Sequence, residues 1–281
     1  MKATIAFLTF VLGLSLASCR SMHMQPKTGD EAAVSSLKMK TADPGVEFII
    51  HKPQTSSADA FLIFHGTVES DKQNVKAAQL TLRKSKKLVQ RDDALYIAVA
   101  YPQENLFMGD NLKNAEAALL WLKKSGSREL GIEIKRIFLV GHSQGGYLVT
   151  RLNTLHPTNG VIANAPGPLN FKLRCELEED RKIPTSDYCS RMKARFGSTK
   201  ENPAAYDERS LLTHIKNFKS KILFTQGMSD TKLQLISWPV LKSRVSACAS
   251  CGGAQFKEME GGHDALFDHP DGHKIVQQFL E

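Results

Sequence analysis

The run Ile137-Phe138-Leu139-Val140 is apolar without interruption. It is followed at once by Gly141-His142-Ser143-Gln144-Gly145-Gly146 and then by the helix-like Tyr147-Leu148-Val149-Thr150. This one stretch constrains the fold more than any other. A strand with no polar alternation is buried on both faces, as in a parallel sheet covered by helices. It passes into a helix through a turn of two or three residues. Glycines two before and two after Ser143 let strand and helix approach without Cβ clashes. The turn raises the Ser143 hydroxyl above the sheet edge, beside a helix N-terminus with free N–H groups.

The rest of the chain repeats the alternation. Strands are expected at Val46–Lys52, Ala60–His65, Ala94–Ala100, Arg136–Gly141, Val161–Ala165, Lys221–Gln226 and Ala254–Met259. Helices are expected at Gln73–Gln90, Asn111–Lys124, Gln144–Leu155, Glu208–Asn217, Lys232–Val245 and Gly272–Leu280. Alternating strands and helices predict an α/β fold with a mostly parallel sheet and helices on both faces. Residues 167–207 break this rhythm with many charges, Cys175 and Cys189. Forty residues is too long for a plain connection, so an inserted cap is expected there. With 42% apolar and 23% charged residues, the chain is neither collagen-like, disordered nor a multi-span membrane protein.

Ser143 needs a base, and the base needs a carboxylate to orient it. The run Ile222-Leu223-Phe224-Thr225-Gln226 is followed by Gly227-Met228-Ser229-Asp230, and the last strand by Gly261-Gly262-His263-Asp264. Asp230 is the expected acid and His263 the expected base. Asp264 is the rival acid, but a direct neighbour of the base points its side chain elsewhere. An oxyanion requires N–H donors. The backbone N–H of Gln144 is one. The loop His65-Gly66-Thr67-Val68 supplies the other, Thr67 first and Gly66 second. His65 is expected to pack within its loop, and His142 to support the turn.

These residues resemble the α/β hydrolases over residues 46–281. The His65-Gly66 loop, the Gly141–Gly145 elbow, Asp230 and His263 stand in that family's order. Ser210-Leu211-Leu212-Thr213-His214, leading into the Ile222 strand, looks like the prolyl-oligopeptidase and dienelactone-hydrolase branch. The chain departs from the peptidases in lacking an N-terminal propeller, and from dienelactone hydrolases in using serine where they use cysteine. The resemblance implies a serine hydrolase acting on a small ester, with a Ser143–His263–Asp230 triad and an acyl-enzyme. A peptidase or amidase is the alternative within enzymes. A non-catalytic envelope-binding protein that keeps the fold is the alternative outside them.

The first residues carry a different message. Met1-Lys2 and an uncharged run from Ile5 to Ala17 fit a signal-peptide core and are too short to span a bilayer. The run ends Leu16-Ala17-Ser18-Cys19, which resembles the lipobox of bacterial lipoproteins. That resemblance implies a signal peptide over 1–18, lipidation of Cys19, and a tether over 19–45 leading to the domain at 46–281. It places the protein in a bacterial cell envelope as a membrane-anchored lipoprotein. If the source is Gram-negative, Arg20 after the cysteine favours the outer membrane.

Setting Cys19 aside leaves Cys175, Cys189, Cys248 and Cys251 out of five. Four cysteines allow three disulfide connectivities. The local pairs Cys175–Cys189 and Cys248–Cys251 are expected. The second, Cys-Ala-Ser-Cys, also fits redox or metal chemistry, but a zinc site needs about four ligands. No metal or organic cofactor motif is present, and no oligomeric state is legible.

The net charge is +8. Residues 72–91 hold seven Lys/Arg and no acid, with Val75, Ala78, Leu82 and Val89 at helical spacing. One face is expected to pack on the sheet and the other to be solvated or to touch anionic lipid. Nucleic acid is not an expected partner, since no aromatic platform is interleaved with the charges.

Overall fold

The computed structural model describes residues 34–38, 46–103, 106–107 and 109–281. Cys19, the signal peptide at 1–18 and most of the segment 19–45 lie outside the described residues.

Eight strands form one sheet: β1 (Val34–Lys38), β2 (Glu47–His51), β3 (Ser57–Phe64), β4 (Leu95–Ala100), β5 (Glu133–His142), β6 (Gly160–Asn164), β7 (Ile222–Gly227) and β8 (Ala254–Met259). Their order is β1-β2-β4-β3-β5-β6-β7-β8. β2 runs antiparallel to both β1 and β4, and every pairing from β4 to β8 is parallel. All seven expected strands form. β1 was not expected: it lies inside the segment read as a tether and lengthens the sheet on its antiparallel side.

The alternation of side chains across the sheet builds two cores. Along β3, Leu62 and Phe64 join Val99, Leu139 and Phe224 on one face. Phe61 and Ile63 join Ala98, Phe138 and Val140 on the other. The first face is covered by α2 (Leu112–Trp121), α4 (Gln144–Leu155) and α8 (Lys232–Ala247) through Leu119, Leu148, Leu152, Trp238 and Leu241. The second is covered by α1 (Asn74–Val89) and α10 (Gly272–Leu280) through Ala78, Leu82, Val89, Val276 and Phe279. Both faces of β3 are therefore dry, and its uninterrupted apolar sequence follows from that. Val75, expected on the packed side of α1, is exposed. The amphipathic stripe of that helix starts one turn later, at Ala78.

α2 continues through a π-helical turn, Leu122–Gly126, into α3 (Ser127–Leu130). Between β6 and β7, the cap region holds α5 (Phe171–Glu179), α6 (Asp187–Phe196) and α7 (Pro203–Asp207). It has a small core of its own, made of Phe171, Cys175, Cys189, Met192 and Tyr206. Cys175 and Cys189 are bonded and tie α5 to α6, and Cys248 is bonded to Cys251. Both expected pairs form, so Cys248 and Cys251 are not a dithiol site.

The helix expected at Glu208–Asn217 is not there. Only a 3₁₀ turn, Leu211–His214, forms. The Leu211 and Leu212 amides donate to the carbonyls of Pro168 and Leu169, and Ser210 Oγ accepts from the Phe171 amide. Donors committed to the chain entering the cap cannot make the i to i−4 bonds of a helix. Two short helices complete the chain's C-terminal third: α9 (Ala265–Asp268) and α10, already described.

Candidate active site

The parallel pairing sends the ends of β3, β5, β6, β7 and β8 to one edge of the sheet, and the expected site residues all follow those ends. Ser143 stands between β5 and α4 with φ 55° and ψ −117°. For a residue with a Cβ, such a backbone costs about 1–3 kcal/mol and persists only where the surroundings fix it. Here they do. The Ser143 amide donates to Asn164 O at 2.9 Å, and its carbonyl accepts from the Tyr147 and Gly167 amides, both at 3.0 Å. The glycine spacing is steric in origin. A Cβ on Gly145 would run into the Phe64 carbonyl, and one on Gly141 into the Gly145 carbonyl.

Asp230 and His263 come together although 33 residues separate them. His263 Nδ1 donates to Asp230 Oδ2 at 2.7 Å. The same oxygen accepts from Gln226 Nε2 at 2.8 Å, and Asp230 Oδ1 accepts from the Thr231 amide at 2.6 Å. Gln226 is itself held by Gln234 Nε2 at 2.9 Å. Burial opposes the charge on Asp230, but the bonds from His263, Gln226 and Thr231 outweigh it and hold the carboxyl below the usual range. An ionised Asp230 accepting at Nδ1–H leaves the lone pair of a neutral His263 on Nε2. The bond to Asp230 raises the His263 pKa above 6.5, against a smaller opposing effect of burial. The loop carrying His263 turns at Gly261, whose φ is +106°, and Gly227 lies against the Gly262 carbonyl.

Asp264, the rival acid, turns away. Its carboxylate accepts from Lys84 Nζ at 2.9 Å and lies 3.4 Å from His142 Nε2.

The loop after β3 reaches Ser143 because Phe64 is in register with Gly141. A Cβ on Gly66 would sit 3.2 Å from Ser143 Cβ. His65 is buried, stacks on Tyr101 at 4.4 Å, and bonds through Nδ1 to Gly66 O at 2.7 Å. Burial lowers its pKa to about 4, so it is a neutral packing residue. Tyr101 donates to His65 O at 2.6 Å, and Gln103 accepts from the Val68 amide at 3.1 Å. With the Val68 amide occupied, Thr67 and Gly66 remain the loop's candidates for an oxyanion donor. Gln144 opens α4 on the other side of Ser143 and is buried. The hydroxyl of Tyr188, on α6, lies against the Thr67 side chain, so the cap touches this loop.

The arrangement is a serine with strained backbone and, at the same sheet edge, a histidine bonded to a buried carboxylate. Its fold is shared widely. A carbohydrate esterase from gut microbiota has a TM-score of 0.67 at 15% identity, over 89% of this chain and 97% of that one. An esterase from the archaeon Pyrobaculum calidifontis has a TM-score of 0.61 at 16% identity, over 88% of this chain and 82% of that one. A propionate-bound esterase from the planctomycete Thermogutta terrifontis has a TM-score of 0.56 at 18% identity, over 89% of this chain and 90% of that one. The fold is that of the α/β hydrolases. The Thermogutta esterase is also known phosphonylated by sarin, and in that form has a TM-score of 0.58 to this α/β-hydrolase-fold chain at 16% identity, over 91% of this chain and 94% of that one. No protein-family model matches the chain, and no curated protein matches it.

Two features of this site escape a sequence reading. The Gln226–Gln234 pair behind Asp230 needs α8 folded against β7. The contact of Asp264 with Lys84 spans 180 residues. Among the described residues, no cluster of His, Cys, Asp and Glu could hold a metal, and no helix is long and apolar enough to cross a membrane.

Proposed function

We propose that this chain is a serine hydrolase that cleaves carboxylic esters through an acyl-enzyme. The observation that carries the reading is the 2.7 Å bond from His263 Nδ1 to a buried Asp230, set at the sheet edge that also holds a strained Ser143. A histidine oriented in this way is a base with one free nitrogen, and Ser143 is the nucleophile proposed for it.

The chemistry follows from the roles. Ser143 Oγ attacks the ester carbonyl while His263 Nε2 takes its proton. Asp230 fixes the ring and stabilises the imidazolium that forms. The Gln144 and Thr67 amides hold the oxyanion of the tetrahedral intermediate. His263 then protonates the departing alcohol and leaves an acylated Ser143. A water, deprotonated by the same nitrogen, releases the acid. The steps above require no metal or organic cofactor, and a small-molecule ester is the proposed substrate.

The names of the structural neighbours, esterases of several kinds, support ester over amide substrates. Cys19, in the Leu16-Ala17-Ser18-Cys19 setting, is proposed as the lipid anchor, with the hydrolase held at a bacterial membrane surface. Turnover of matched ester and amide substrates tests the reading. Ester hydrolysis well above amide hydrolysis, abolished by Ser143→Ala, is expected. Preferred amide cleavage would make the chain a peptidase or amidase.

A further inference from the structure

His142 lies inside the elbow and plays no part in the chemistry above, yet its surroundings are unusually specified. His142, Asn164 and Thr225 stand at one level on three adjacent strands, His142 paired with Asn164 and Asn164 with Thr225. Thr225 Oγ1 donates to Asn164 Oδ1 at 2.9 Å. That fixes the Asn164 amide with its nitrogen toward His142 Nδ1, 3.0 Å away. An amide nitrogen only donates, so Nδ1 is an acceptor and the ring proton is on Nε2. Nε2 faces Asp264 Oδ1 at 3.4 Å, and Lys84 holds the same oxygen at 2.9 Å. Burial, reinforced by the charge of His263, lowers the His142 pKa to about 4, so the ring is neutral. Its centroid is 4.9 Å from that of His263, and Phe267 packs edge-on at 5.5 Å.

We propose that His142 is a positioning residue for His263, pinned as a neutral donor between Asn164 and Asp264, and that Lys84 tunes the negative charge Asp264 presents to His263. The physical need is plain. When His263 takes the serine proton, a cation forms in contact with the His142 ring. A second cation there would repel it, and an unpinned ring would leave His263 free to tilt. The ladder from Thr225 supplies the donor, the Asn164 amide nitrogen, that keeps Nδ1 an unprotonated acceptor. Asp264 supplies a second negative charge near the imidazolium, and Lys84 partly cancels it. The charged and titratable groups around His263 are thus Asp230 after β7, His142 at the end of β5 and Asp264 on its own loop, with Lys84 of α1 behind Asp264.

The inference rests on the proposed function for its effect on rate, but not for its effect on the proton affinity of His263. NMR titration of the His263 imidazole in the full chain reads the latter whether or not the chain hydrolyses esters. Asp264→Asn removes a nearby negative charge and is expected to lower the His263 midpoint by about half a pH unit. Lys84→Met unmasks that charge and is expected to raise the midpoint by a smaller amount. The acid limb of kcat/KM should move with each midpoint, and Asp264→Asn should lower the plateau about threefold, the equivalent of half a unit. His142→Phe keeps the ring but neither hydrogen bond; it should lower kcat with little change in KM, and His142→Gln, which can accept and donate, should recover part of the loss. Lys84 is partly exposed, so its variant reports even where another fails to fold. Midpoints that move in the same direction in the two charge variants, or in neither, would overturn the proposal. Opposite shifts in a chain that turns over no ester would sustain it and sink the ester reading.

Discussion

Two histidine–carboxylate pairs sit side by side at this sheet edge, and they are built inside out from one another. In the first, the carboxylate of Asp230 is 1% exposed and the ring of His263 is 42% exposed, 2.7 Å apart. In the second, the carboxylate of Asp264 is 43% exposed and the ring of His142 is 15% exposed, 3.4 Å apart. On the proposed reading, the contrast separates a base from a support. A buried carboxylate with three donors has no freedom, so its direction is fixed and the one histidine it holds, His263, is the partner left facing solvent. A buried imidazole cannot carry charge, and its carboxylate is shared with Lys84. Residue type alone does not distinguish the pairs; burial and partner count do.

The comparison breaks most sharply under two matched substitutions. Asp230→Asn should lower kcat about a thousand- to ten-thousandfold, because the ring loses its orientation and the imidazolium its counter-charge. Asp264→Asn should lower the kcat/KM plateau only about threefold. Steady-state kinetics on one ester substrate reads both, and equal losses would erase the distinction.

A smaller break removes one of the three donors to Asp230. Gln226→Leu deletes a hydrogen bond to a charged group, worth roughly 1.5–3 kcal/mol. Spread between the ground state and the transition state, that loss should appear as a drop in kcat of about tenfold, with KM less affected. A rise in KM alone would mean that Gln226 touches substrate instead.

The pH dependence sharpens the same contrast. His263 must be unprotonated to act, and its pKa is raised by Asp230. Activity should therefore fall as pH drops through a midpoint above the ordinary imidazole value of 6.5. Because His142 is neutral down to about 4, it should add no second midpoint in that range. A kcat/KM profile with two ionisations near neutrality would contradict this.

The least expected effect on the pairs comes from the cap. Replacing Cys175 and Cys189 by serine opens a loop of about 15 residues, a loss of roughly 3 kcal/mol in the chain-entropy description. Denaturant unfolding should register it, and the four-residue Cys248–Cys251 loop should register less. The His263 midpoint should not move, since no cap residue faces its ring among the contacts described.

The sequence was legible where one segment sufficed. The apolar runs of β3 to β7 name buried parallel strands because nothing but burial on both faces removes the alternation. The glycines around Ser143 and before His263 mark tight turns whose steric reasons the structure supplies. What was not legible depended on distant partners. Val34-Ser35-Ser36-Leu37-Lys38 is short and polar and becomes a strand only through its pairing with β2. Leu211 and Leu212 have the spacing of a helix, but Pro168 and Leu169 take their donors. Val75 fits the apolar stripe of α1 and still faces solvent, because that stripe begins where the helix meets the sheet. The second histidine–carboxylate pair required β5, β6, β7, α1 and the last loop to be in place together.

The most direct test of the central claim is covalent. A fluorophosphonate probe reacts with a serine that a neighbouring base has activated. The account predicts one modified peptide by mass spectrometry, carrying the probe on Ser143. It predicts that the labelling rate falls as pH drops through the His263 midpoint, and that labelling is lost in Ser143→Ala. A folded protein that takes up no probe, or one labelled equally after Ser143→Ala, would contradict it.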